Sequence, residues 1–312
     1  MALAATSPVQ TAPQMQVAAS DEQGSSVRVS PRVGPWRLVS LAGEGAWTRV
    51  FRASPVRLPE SAPADYAVKM LRPEYQHDPL AARLLQREEM VGRQVTHPHL
   101  ASVLSSRIDR KPFFVTTPFL EGAVLRDCFG PPPRTPLPVS PSLWVARQIA
   151  EALTELHTAG WLHGDVKPGN IFVAPTGHAT LIDLGFARRL GPHLDVHAVP
   201  WDQLQVLGTP AYAAPEIHHA DPTTDSASDI YGLGVVLFEM LTGRWPFEHT
   251  DPRRLAAAHC QDPPPDPREF ASHIPARVSR FVLRMLAKPP DIRPTSSELV
   301  ARLIDLEICT LT

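Results

Sequence analysis

Hydrophobic patterning is absent from the first 32 residues, where Ala, Ser, Gln, Pro and Val mix without a sustained period of 2 or 3.6. This opening segment, residues 1–32, is expected to be a disordered tail. From Trp36 the pattern changes. Residues 36–42 and 49–53 read as two strands around a tight turn holding Gly43 and Gly45, and residues 66–71 read as an apolar strand carrying one Lys, Lys69. Residues 80–95 have helical character, with Leu84, Glu88 and Val91 stacked at i, i+4 and i+7. Strands near 103–108 and 113–117 would complete a small antiparallel sheet. Residues 118–122 then read as a hinge, because a proline stops strand pairing and a glycine loosens the chain. Beyond it, Val145, Ile149, Leu153 and Leu156 form one apolar stripe of a helix expected to end at Gly160. Residues 230–241 are apolar on nearly every face, so this helix should be wholly buried. The pattern predicts an α+β protein of two lobes: a small antiparallel sheet with one helix over 33–119, and a larger, mainly helical lobe over 120–312.

Composition adds exclusions. A net charge of −2 gives no bulk electrostatic reason to expect nucleic acid or an anionic membrane as partner. Cys128, Cys260 and Cys309 are far apart and form no CxxC pair, which argues against a disulfide framework or a zinc site and fits a reducing cytoplasm. His218 and His219 are adjacent and cannot share a helix face, so a metal site there is not expected. No run approaches the roughly 18 apolar residues of a membrane span, and the N-terminal segment lacks the basic and apolar regions of a signal peptide. The 35 prolines cluster in the tail, around 131–141 and around 263–267, where they punctuate helices.

The chemistry concentrates in residues 157–187. There His163-Gly164-Asp165-Val166-Lys167-Pro168-Gly169-Asn170 and Ile182-Asp183-Leu184-Gly185 lie on loops between short apolar runs. Two Asp, a Lys and an Asn presented in this way can serve a reaction: one acid orients a nucleophile, while the other, with the Asn, holds a divalent cation. Upstream, Gly43 and Gly45 let the backbone approach a phosphate closely. A dinucleotide-binding turn would need a helix to follow, whereas residues 49–52 are strand-like.

These motifs resemble the catalytic and metal-binding loops of eukaryotic-like (Hanks-type) serine/threonine protein kinases of the bacterial style, usually His-Arg-Asp-x-x-x-x-Asn and Asp-Phe-Gly. The resemblance runs over roughly residues 36–308. It includes Ala67-Val68-Lys69, the run from Gly208 to Glu216, Asp229 heading the buried helix, and Arg293. It implies ATP as phosphoryl donor, Mg²⁺ (with Mn²⁺ as the alternative) and a protein substrate bearing Ser or Thr. Asp165 would orient the substrate hydroxyl, Lys167 would lie beside the γ-phosphate, and Asp183 with Asn170 would hold the metal. Lys69 would contact the α- and β-phosphates, held by Glu88, with Glu89 as the neighbouring candidate. Thr117 would be the gatekeeper, the hinge backbone around Phe119 and Leu120 would meet adenine, and Val50, Ala67 and Phe172 would sandwich the base. Asp229 would brace the catalytic loop, and Arg293 would pair with Glu216.

Three positions depart from the family pattern: Thr48 replaces the third glycine, Gly164 the Arg before the catalytic Asp, and Leu184 the Phe of the metal-binding loop. That Arg ordinarily answers a phosphate on the activation segment, and residues 187–207 contain no Ser, Thr or Tyr. Activity is therefore expected not to require phosphorylation of that segment. Activity would be set by concentration, by partners or by the tail, whose Ser20, Ser25, Ser26 and Ser30 are open to autophosphorylation. The alternatives are a nucleotide-binding pseudokinase acting as a scaffold, and an enzyme on a related fold that phosphorylates a small molecule.

Overall fold

The computed structural model describes residues 31–130, 134–191, 210–218 and 225–310. The four tail serines, Gly208, Thr209, His219 and most of the hydroxyl-free run 187–207 lie outside them. From Pro31 onward the chain forms one unit. Its sheet begins slightly ahead of residue 33, because Pro31 accepts a hydrogen bond from the Leu38 N–H and Arg32 pairs with Arg37.

Six strands make the first lobe: β1 (Arg32–Val33), β2 (Trp36–Glu44), β3 (Thr48–Pro55), β4 (Tyr66–Leu71), β5 (Ser105–Arg107) and β6 (Phe114–Pro118). They are antiparallel, in the order β1-β2-β3-β4-β6-β5. β5 is shorter than the 103–108 expected. The Val103 N–H bonds Gly92 O instead of a strand, so pairing starts only with the Leu104 N–H on Thr116 O. Period-2 alternation sends residues to two faces. Val33, Trp36, Leu38, Ala53, Val68 and Phe114 form one small core, while Leu71, Val103 and Val115 form another with Ala81 and Leu85 of helix α1 (Pro79–Gln94). Asp78 caps α1 by accepting from the Leu80 and Ala81 N–H groups, and Pro79 occupies its first turn.

The chain leaves this lobe at Gly122, whose φ is +142° and whose added Cβ would sit 2.2 Å from Val173 O. Only glycine passes there. Strand β7 (Ala123–Val124) and the short helix α2 (Leu125–Cys128) follow, then α3 (Val139–Thr158), β8 (Trp161–Leu162), β9 (Ile171–Val173), β10 (Ala179–Leu181) and β11 (Arg188–Arg189). The apolar stripe of α3 is buried along its length, and the chain turns at Gly160 with φ +79°. Helix α4 (Ala227–Thr242) is buried on all sides, as its sequence requires, and forms the axis of the second lobe. Around it pack α3, α5 (Pro252–Gln261), α6 (Pro267–Phe270) and α7 (Ala276–Met285), while α8 (Ser296–Thr310) packs on α3. Among the described residues no helix is long and apolar enough to cross a membrane.

Candidate active site

Where the two lobes meet, Lys69 on β4 reaches two carboxylates. Its Nζ lies 2.7 Å from Glu88 Oε2 on α1 and 3.0 Å from Asp183 Oδ1 on the loop after β10. Burial lowers the Lys69 amine, but the Asp183 and Glu88 charges outweigh it and hold the pKa above the ordinary lysine value. Burial raises the Glu88 carboxyl to about 7, with Lys69 drawing it back. Burial also opposes ionisation of Asp183, yet Lys69 holds that carboxyl below the usual range. Glu89 is engaged elsewhere: Arg93 Nε is 2.7 Å away, and Ser106 Oγ donates to it over 3.1 Å. Of the two candidate glutamates, Glu88 is the one beside Lys69.

The loop between β8 and β9 is fixed from below by a buried acid at the start of α4. Asp229 accepts the His163 N–H at 2.8 Å and the Gly164 N–H at 2.9 Å, and His157 Nε2 stands 2.9 Å from its Oδ2. Burial raises its carboxyl, but His157, the His163 ring and the Gly164 amide together hold it below the usual range. Above this brace, Asp165 Oδ2 accepts from Asn170 Nδ2 at 2.8 Å and lies 2.6 Å from Lys167 Nζ. The loop carrying Asp183 is tied alongside: the Ile182 N–H donates to Asn170 O at 2.9 Å, and His163 Nε2 sits 3.1 Å from Ile182 O. Asp183 itself takes φ +67°, a left-handed conformation that costs a non-glycine residue about 1–3 kcal/mol. This strain is maintained by the surrounding loop and turns the carboxylate toward Lys69.

Gly164 occupies its position for a local reason. Its φ is +79°, and a Cβ would stand 2.6 Å from Phe186 O, closer than any side chain tolerates without movement of the second loop. The structure thus has no room for a side chain where the family pattern carries Arg.

At the roof of the cleft, Gly43 borders open space, where a Cβ would meet nothing within 4 Å, while a Cβ at Gly45 would lie 3.6 Å from Thr48 Oγ1. The tip of this hairpin is held by ionic contacts that sequence reasoning missed. Glu44 pairs with Arg49 at 3.0 Å and with Arg72 at 3.4 Å, while Arg72 Nη1 also reaches the Gly45 and Ala46 carbonyls. Thr48 opens β3, and neighbouring Trp47 lies 6.5 Å from the Phe186 ring, bringing the tip toward the second lobe. Val50 on β3, Ala67 on β4 and Phe172 on β9 are distributed over both lobes. Ala67 pairs with Thr117, whose hydroxyl donates to Pro118 O at 3.2 Å. Phe119 is engaged at both its N–H and its ring. Its N–H donates to Asp65 O, and its ring lies 4.3 Å from the Arg52 guanidinium. Among the described residues the neighbouring Leu120 N–H has no backbone partner.

On the substrate side, Glu216 and Arg293 form a two-pronged ion pair with N–O distances of 2.7 and 2.8 Å. Tyr212 donates to Glu239 at 2.6 Å, and Arg134 also pairs with this fully buried carboxylate.

The donor set fits a hard cation bound together with a phosphate. Asp183 offers a carboxylate and Asn170 an amide oxygen, and among the described residues no cluster of three His, Cys, Asp or Glu could hold a metal unaided. Mg²⁺ is typically held by one or two carboxylates plus substrate phosphate oxygens.

The protein kinase domain family matches residues 36–303. The chain is similar to the serine/threonine-protein kinase PknD of Mycobacterium tuberculosis, 32% identical over 268 residues, which cover 84% of this chain and 38% of that protein. It is similar to PknB of Mycobacterium leprae, 31% identical over 274 residues (86% of this chain, 42% of that protein). It is also similar to PrkC of Bacillus subtilis, 28% identical over 265 residues (85% and 39%). The matched residues thus span about two fifths of the length of these relatives.

Proposed function

The chain belongs to the protein kinase family, and from that premise we propose that it transfers the γ-phosphate of ATP to Ser and Thr hydroxyls of proteins, with no phosphate needed on its own activation segment. The observation that carries this reading is the pairing of two arrangements. Lys69 is set between Glu88 and Asp183, and Asp165 is set between Asn170 and Lys167 on a loop braced by Asp229. Phosphoryl transfer asks the protein chiefly to position groups and neutralise charge.

Asp165 orients the attacking hydroxyl and receives its proton, with Asn170 fixing the rotamer of its carboxylate. Lys167 moves from Asp165 to the γ-phosphate when nucleotide arrives; its position two residues after the acid resembles the serine/threonine branch of the family. Lys69 binds the α- and β-phosphates, and Glu88 keeps its amine charged and aimed. Asp183 and Asn170 would hold Mg²⁺, or alternatively Mn²⁺, which neutralises phosphate charge. Adenine stacks between Val50, Ala67 and Phe172 and meets the Leu120 N–H. Independence from phosphorylation rests on Gly164, which cannot bind a phosphate through a side chain, and on the absence of hydroxyl side chains from residues 187–207. The cytoplasm, with its ATP and reduced thiols, suits the thiols of Cys128 and Cys260, which form no disulfide.

Incubating the chain and its Asp165→Asn variant with Mg-ATP and a Ser/Thr-rich protein, then mapping phosphate by mass spectrometry, tests the reading. Phosphoserine or phosphothreonine that falls by about 10²–10⁴-fold in the variant is the expected result. Equal transfer by both proteins would rule out the role given to Asp165, and no transfer by the unaltered chain would rule out the activity.

A further inference from the structure

Trp161 of β8 joins three parts of the site without being part of it. Its side chain is among the largest that are fully buried. The indole N–H donates to Gln94 Oε1 at 3.2 Å, and the Arg87 guanidinium lies over the ring at 5.1 Å. Arg87, Val91 and Gln94 are spaced i, i+4 and i+7 and therefore share one face of α1. Arg87 immediately precedes Glu88, the partner of Lys69. A second guanidinium, from Arg189, lies over the same ring at 4.1 Å, and Arg189 is the strand partner of Trp161 in the β8–β11 pair. One indole thus touches the helix that carries Glu88, the strand that runs into the Asp165 loop, and the strand that leaves the Asp183 loop.

We propose that Trp161, with Arg87 and Arg189, is a built-in clamp that holds α1 and its Glu88 in register with the catalytic loop. The proposal rests on the kinase reading and deepens it by supplying a regulatory device. A phosphorylated activation segment would draw α1 and the catalytic loop together by anion–guanidinium contacts; here residues 187–207 have no hydroxyl to phosphorylate and Gly164 has no side chain to answer one. The aromatic face offers guanidinium groups a permanent electrostatic partner in place of the phosphate. At the buried Arg87 it does so inside the protein, where water and salt screen the attraction least, whereas Arg189 is exposed. Arg87, itself buried, presents its guanidinium to a π-face, a contact that a neutral side chain at 87 could not make. Trp161 and its guanidinium partners act on the reaction only through the position of Glu88, so they are positioning residues.

The variants are Trp161→Leu, Arg87→Met and the charge-preserving Arg87→Lys, each measured in two ways. The first is amide hydrogen exchange over residues 79–94, compared with exchange in α4 of the same sample; the second is kcat and KM for ATP. Because Trp161→Leu empties part of a core, Arg87→Met serves as the variant that keeps side-chain length while removing charge. The clamp predicts exchange in α1 faster by about tenfold in Trp161→Leu and Arg87→Met, on the scale of one or two lost cation–π contacts, with α4 unchanged. It also predicts kcat/KM for ATP lower by a similar factor, and recovery of most of both effects in Arg87→Lys. Unaltered α1 exchange in Arg87→Met, or loss of protection in α1 and α4 alike, would overturn the clamp. Failure of the unaltered chain to transfer phosphate would instead overturn the kinase reading, and the exchange data would still decide whether the indole holds α1.

Discussion

Replacing Glu216 by Gln perturbs a fully satisfied buried ion pair while preserving its shape. The Arg293 side chain is 0% exposed and that of Glu216 5%. Every guanidinium N–H has an acceptor: two meet the Glu216 oxygens, and the others meet Ala227 O, Ala287 O and Lys288 O. Ser228 Oγ adds a donor to the same carboxylate at 2.7 Å. Gln at 216 would leave the cation buried and turn an amide N–H toward guanidinium N–H groups. Removing one partner of a buried pair costs about 3–5 kcal/mol, most of it the desolvated charge left behind. For a domain of this size each kcal/mol lowers the midpoint by roughly 2–4 °C, so Glu216→Gln should unfold roughly 6–20 °C below the unaltered chain. Thermal denaturation at pH 7 followed by circular dichroism reads this directly. The double variant Glu216→Leu, Arg293→Met removes both charges and should lose less than the sum of the single variants. A midpoint within about 2 °C for Glu216→Gln, or additive single and double losses, would refute the assignment of the cost to an orphaned charge.

Two further outcomes follow from the same geometry. Gly164→Ala forces a Cβ into the left-handed region, at about 1–2 kcal/mol, and against Phe186 O. A lower midpoint and about a tenfold loss in kcat are expected, the latter equivalent to 1.4 kcal/mol, and an unaltered kcat in steady-state assays would show that the carbonyl yields freely. Glu216 and Asp229 are held below their ordinary pKa values. Depressed folded-state values mean that the unfolded chain takes up protons first, so their contribution is complete above about pH 5 and is lost as pH falls through the folded values. Urea titrations should therefore show stability falling below pH 4.5, with a shallower fall in Asp229→Asn.

Local chemistry made much of this legible in the sequence. The strand–glycine–strand pattern, the stripe of α3 and the all-apolar α4 each announce their own burial, and the loops bearing Asp165 and Asp183 stand between them in readable order. What stayed hidden depends on partners distant in the chain. Glu88 and Glu89 are adjacent and both lie on α1, and only the packing of that helix on the sheet turns one to Lys69 and the other to Ser106. The contacts of Phe119, its N–H on Asp65 O and its ring beside the Arg52 guanidinium, likewise come from residues distant in the chain. The contacts of Trp161 carry no local signal, because its partners Arg87 and Gln94 lie far upstream. Gly164 read as a missing Arg; the Phe186 carbonyl shows that the backbone path itself demands glycine.

The account holds that the site is assembled without a phosphate on its own activation segment. The most direct test is the time course of substrate phosphorylation by phosphatase-treated protein, with phosphate mapped across residues 187–216 at each time point. The account predicts a linear rate from the first time point with that segment unmodified. A lag that disappears after preincubation with Mg-ATP, accompanied by phosphate on Thr209, would contradict it.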